Sequence, residues 1–191
     1  MVVHHAKAAS NHFKAEVKRL WKKHWKLVCA LLIILFMFLF MKKFLILLAF
    51  IGVNTGVAFL WLTFGNRSIG FELVLFTSIV TLFAFGLKAS LFLIIVSLLL
   101  HNYITMNISM NALLNIPVGM ICLGIGALFK PMGIITVGIG LTILFNLIFT
   151  LIVFFLKTGS TARRLIYFAT NLLFNWVLFT FLGAALVKVI A

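Results

Sequence analysis

Aspartate is absent from this chain, and its only acidic residues are Glu16 and Glu72. Aspartic intramembrane proteolysis, phosphotransfer on Asp-held metals and pumping along an acid relay all need carboxylates that are not here. Cysteine is nearly as scarce: Cys29 and Cys122 lie in apolar runs with no CxxC spacing. They read as small buried hydrophobes rather than a disulfide or a thiolate metal centre. Charged residues of both signs make up 9% of 191 positions, against about a quarter in a soluble domain. Too few remain to cover a water-facing surface. GxSxG, HExxH and a Cys–His pair are missing, and KTGSTARR (157–164) has neither the glycine spacing nor the Lys-Ser/Thr ending of a P-loop. No nucleophile stands beside a base, so no enzyme, cofactor or metal site is expected. Met106, Met110, Met120 and Met132 are spaced too irregularly for a thioether copper site and read as packing.

What is present is apolar. Hydrophobic residues make up 65% of the chain, phenylalanine alone contributes 22 residues, and the mean hydropathy is +1.30. Lipid is the solvent that suits such a composition, and the period-2 alternation of outer-membrane strands is missing. The expected fold class is all-α: a polytopic integral membrane bundle of six full spans, preceded by a basic amphipathic helix and a short apolar segment. The organising stretch is Asn111–Gly140, which holds both prolines, Pro117 and Pro131. It predicts a hairpin, with a helix over about 112–129, a tight turn at Lys130–Pro131, and a second helix from Met132. Its glycines leave room for close helix approach.

Three regions follow along the chain. Residues 1–26 carry Lys14, Lys18, Arg19, Lys22 and Lys23 on one side and Phe13, Trp21 and Trp25 on the other. A basic helix with indoles on its apolar face suits the bilayer interface, its lysines meeting anionic headgroups. Nucleic-acid binding is the competing use of such a charge run, but the tether to an apolar segment favours lipid. Residues 27–41 are apolar yet short of the roughly 20 residues that cross a ~30 Å core. They cross with snorkelling lysines, re-enter, or continue the basic helix obliquely. Residues 42–191 hold the six expected spans, at about 44–64, 71–87, 89–105, 112–129, 132–156 and 165–187. Short connections make neighbours antiparallel. Lys42, Lys43, Lys88, Lys130 and Lys188 then share one side, with Arg67, Lys157, Arg163 and Arg164 opposite. The basic N-terminal helix, placed in the cytoplasm, tips this near-tie toward lysines inside.

Candidate site residues are polar groups that lipid would not tolerate alone. Glu72 opens a span, where a carboxylate complements the helix N-terminus and can pair with Arg67. Asn102, Asn115, Asn171 and Asn175 each need a partner: a helix, water or a ligand. Asn171 and Asn175 share a helix face, and together these amides would form a neutral pocket for a small polar solute. His101, Asn102 and Tyr103 stand at one mouth of the bundle. Ala49, Gly52 and Gly56 form a small-residue stripe for a partner helix, with Asn54 placed to bond across the same contact. Arg163 and Arg164 can hold lipid phosphate.

The six-helix unit, with its stripe at Gly52/Gly56 and LLNIPVGM (113–120) entering the fourth helix, resembles the substrate-binding S-components of energy-coupling factor transporters. The resemblance implies that Ala49, Gly52 and Gly56 contact a coupling subunit. It also implies that Asn102, Asn115, Asn171 and Asn175 belong to a substrate pocket in the outward halves of the later helices. The expected function is thus a small-molecule uptake subunit in the cytoplasmic membrane, energised by partner subunits. The alternatives are a non-catalytic scaffold subunit of a larger membrane complex and an uncoupled channel or lipid-handling protein.

Overall fold

The structure, a computed structural model, describes residues 2–64, 70, 72–106, 109–156 and 160–191. At 2–23, 37–40, 64, 111 and 161 it describes the backbone alone. The described residues form helices and no strand. The chain divides into two compact units, Met1–Phe44 and Leu45–Ala191.

The first unit is the leading part of helix α1 (Val2–Phe64). Residues 27–41 are helical throughout and belong to that same helix. From Leu31 to Phe36 six successive apolar side chains are 54–63% exposed. At 100° per residue they go round the whole helix, so exposure is not confined to one face. Trp25 is about half exposed. The side chains of Lys14, Lys18, Arg19, Trp21, Lys22 and Lys23 lie outside those the structure describes.

The second unit opens with the remainder of α1 and continues through α2 (Val74–Phe85), α3 (Leu87–Ile104), α4 (Met110–Leu128), α5 (Ile134–Leu156), α6 (Thr161–Leu178) and α7 (Ala184–Ile190). Among the described residues four stretches are long and apolar enough to cross a membrane: Met41–Thr63, Leu87–Ile104, Ile134–Leu156 and Ala162–Ile190. Of the six expected spans, those at Val74–Phe85 and, within α4, Ala112–Leu128 are not among them. The reason at α2 is Gly86, which takes φ 84° and ψ 178° and ends the helix two residues before Lys88. Twelve residues rise only about 18 Å.

Helix α2 is the core of this unit. Nine consecutive residues, Val74–Leu82, are buried, as befits a helix apolar on every side. It packs against α3, α4, α5 and α7. Between α4 and α5 the chain makes a single 3-10 turn, Lys130–Met132, with Pro131 inside it and Gly133 at φ 86° closing it. Between α6 and α7 lies a π turn, Phe179–Gly183, whose extra residue breaks the helical register. There Phe179 is fully buried, its ring 5.0 Å from that of Phe76. A Cβ on Gly138 of α5 would lie 2.6 Å from the Phe179 ring, so this crossing depends on glycine.

Within the second unit, α1 presents Leu47, Asn54 and Ala58 inward. Asn54 donates through Nδ2 to Thr77 Oγ1 of α2 and Ser97 Oγ of α3, both at 3.0 Å. Ala49, Gly52 and Gly56 lie on the opposite, exposed side, and a Cβ on either glycine would meet nothing within 4 Å. Asn54 therefore does not share a face with the glycines, as the sequence had suggested. Four residues span about 400°, so Asn54 falls some 200° from Gly52 and from Gly56.

Candidate functional site

The ends of α1, α3 and α5 and the starts of α2, α4 and α6 meet at one end of the second unit. They enclose a cavity of about 620 Å³. The opposite end carries Lys88, Lys130 and Lys188. The polar lining is therefore gathered where antiparallel packing brings these helix ends and starts together.

The cavity is assembled around α6. Ser160 caps that helix, its hydroxyl accepting from the Arg163 backbone N–H at 3.5 Å. Arg163 and Arg164 follow in the first turn, with no acidic residue there. Cations at this end oppose the helix dipole, so the field in the first turn is strongly positive. Arg164 and Tyr167 are three residues apart and share a face. The Arg164 guanidinium carbon lies 4.1 Å from the Phe149 ring centroid and 4.6 Å from that of Tyr167, a cation–π clamp. Its Nε and Nη2 are buried and have no hydrogen-bond partner among the described residues.

Glu72 reaches this cluster because of Gly70. The Gly70 N–H donates to Thr170 Oγ1 at 2.8 Å, and Asn171 Nδ2 donates to the Gly70 carbonyl at 2.9 Å. A Cβ at Gly70 would fall 2.5 Å from the Tyr167 carbonyl oxygen and 2.7 Å from the Asn171 nitrogen. Backbone cannot step aside as a side-chain tip can, so only glycine lets the segment lie on α6. Two residues later, Glu72 Oε2 accepts a hydrogen bond from the Tyr167 hydroxyl.

The far wall comes from α3 and α4. Asn102 donates through Nδ2 to the Ala112 carbonyl at 3.2 Å and joins the end of one helix to the start of the next. Asn115 is half-buried beside it, and His101 has its Nδ1 buried without a partner. Trp61 and Phe149 supply apolar wall.

Of the residues singled out for a solute, Glu72, Asn102 and Asn115 line this cavity. Arg163 and Arg164, assigned to lipid phosphate from the sequence, line it as well. Asn171 and Asn175 are not part of the lining. They are buried between helices, where Asn171 Oδ1 accepts from Asn146 Nδ2 at 2.8 Å and Asn175 Nδ2 donates to the Asn171 carbonyl at 3.0 Å. Arg67, the partner expected for Glu72, lies outside the described residues. Tyr167 escaped sequence reasoning, although its spacing from Arg164 and Asn171 on one helix face was a usable signal. Tyr103 is largely exposed. Among the described residues no three His, Cys, Asp or Glu side chains come together to hold a metal.

No protein-family model matches the chain, no curated protein matches it, and no solved structure matches it.

Proposed function

We propose that the chain is a multi-pass protein of the cytoplasmic membrane that binds a small polar solute in this cavity. In this reading it is the uptake subunit of a system whose energy comes from partner subunits. One observation carries the reading. Arg164 lines the cavity, and its Nε and Nη2 are buried with no hydrogen-bond acceptor among the described residues. An unmet charged donor costs a few kcal/mol (roughly 1–3, and more for charged groups). A solute oxyanion would relieve that cost.

The basic N-terminal helix, placed in the cytoplasm, supports an outward-facing site, because the cations of the six-helix unit nearly balance between its two ends. With Lys88, Lys130 and Lys188 in the cytoplasm, the cavity lies at the other face, where an uptake protein meets its solute. The exposed Ala49, Gly52 and Gly56 offer a close-packing face to a partner helix, as the resemblance to S-components implies. A scaffold subunit would use the same stripe, and the cavity is the feature that role leaves unused.

The test is scanning fluorimetry of the full chain in detergent against a panel of carboxylates, phosphates, amines, amino acids and neutral sugars. At least one class should raise the melting midpoint of the wild type, and Arg164→Gln should abolish that rise. A panel that leaves the midpoint unmoved would contradict the solute site.

A further inference from the structure

The cavity presents charges of both signs within the reach of a single side chain. Tyr167 packs its ring against the Arg164 guanidinium and donates its hydroxyl to Glu72. Anionic and cationic positions are thus held on either side of one tyrosine. We infer that the solute is a zwitterion with an oxyanion and an ammonium group a few bonds apart, as in an α-amino acid. This rests on the reading of the cavity as a solute site.

The argument runs from charge complementarity. The oxyanion belongs at Arg164, which lines the cavity with Arg163, has two guanidinium nitrogens without an acceptor among the described residues, and stands in the first turn of α6, where the helix N-terminus adds positive potential. The ammonium belongs at Glu72, whose second oxygen has no hydrogen bond to Tyr167 and whose carboxylate is the only acid lining the cavity among the described residues. A plain carboxylate would meet repulsion from Glu72. A plain amine would meet two arginines. A molecule with both groups complements both poles at once. Trp61 and Phe149 provide the apolar wall for whatever else the molecule carries. A phosphoethanolamine headgroup has the same pair of charges, so a lipid is a second source of this chemistry.

The test uses matched sets of ligands on the full chain in detergent, by titration calorimetry. Glycine, leucine and phenylalanine are each compared with the corresponding acid lacking the amine and the corresponding amine lacking the carboxylate. Glycerophosphoethanolamine is run beside them. The zwitterion of at least one set, or glycerophosphoethanolamine, should bind at least about tenfold tighter than its singly charged analogues, roughly 1.4 kcal/mol. Tightest binding of glycerophosphoethanolamine would identify lipid as the source. Glu72→Gln should remove the discrimination against the deaminated acid, and Arg164→Gln the discrimination against the amine. If a deaminated acid binds the wild type as tightly as its parent, the zwitterion inference is overturned and the solute site stands. If another class from the wider panel binds and none of these does, the outcome is the same. If nothing binds, both readings fall.

Discussion

At the scale of single residues, buried polar groups divide into those that hold helices together and those that face the cavity. Asn54 is of the first kind, its amide shared between hydroxyls on α2 and α3. Asn54→Leu removes both bonds and should lower stability by about 1–2 kcal/mol, read as a lower midpoint in thermal unfolding in detergent. Gly138 is its apolar counterpart. Gly138→Ala presses on the Phe179 ring and should cost about 1–3 kcal/mol in the same assay, whereas an unchanged midpoint would show that Phe179 can move away. The amides illustrate how far the sequence could be read. Each of Asn102, Asn115, Asn171 and Asn175 was identifiable as a group needing a partner. Which partner it takes depends on the angle at which helices cross, and no local pattern encodes that angle. Asn171 thus bonds to Gly70 and Asn146 rather than facing the cavity, while Arg164, about two turns earlier on the same helix, belongs to the cavity.

At the scale of elements, length and termination decide what each helix does. The hairpin at Lys130–Met132 was legible because proline, lysine and glycine together mark a stop between two apolar runs. The end of α2 was not, because Lys88 is a conspicuous charge whereas Gly86 breaks the helix only through its backbone angles. Gly86→Ala should strain that break, at φ 84° and ψ 178°, by about 1–3 kcal/mol, again read as a fall in the melting midpoint. The exposed face of α1 makes the opposite prediction. A Cβ at Gly52 or Gly56 meets nothing within 4 Å and both positions are exposed, so for Gly52→Leu and Gly56→Leu stability should stay within about 0.5 kcal/mol of wild type. Co-purification of partner subunits from native membranes should fall. Retained co-purification would show that partners dock elsewhere.

At the scale of the whole molecule, composition foretold the class of structure, an all-helical chain with long apolar helices, but not the number of helices long enough to cross a membrane. Hydropathy measures whether a segment tolerates lipid, and α2 is nearly as apolar as α5 while being wrapped by its neighbours instead. The cavity was hidden for a related reason: its lining comes from residues between Trp61 and Tyr167, far apart in sequence and joined only by antiparallel packing. Sidedness has its own test. With Cys29 and Cys122 replaced by alanine, Ser109→Cys at the cavity end should react with a membrane-impermeant thiol reagent on intact cells. Lys130→Cys should react only after permeabilisation. The reverse pattern would place the cavity toward the cytoplasm and remove the uptake reading.

The most direct measurement is native mass spectrometry of the full chain released gently from its own membranes. The account predicts a recovered complex heavier than the bare polypeptide by one small zwitterionic solute or phosphoethanolamine lipid, with Arg164→Gln flying without it. A wild-type chain that carries no such mass, or a variant that retains it undiminished, would contradict the account.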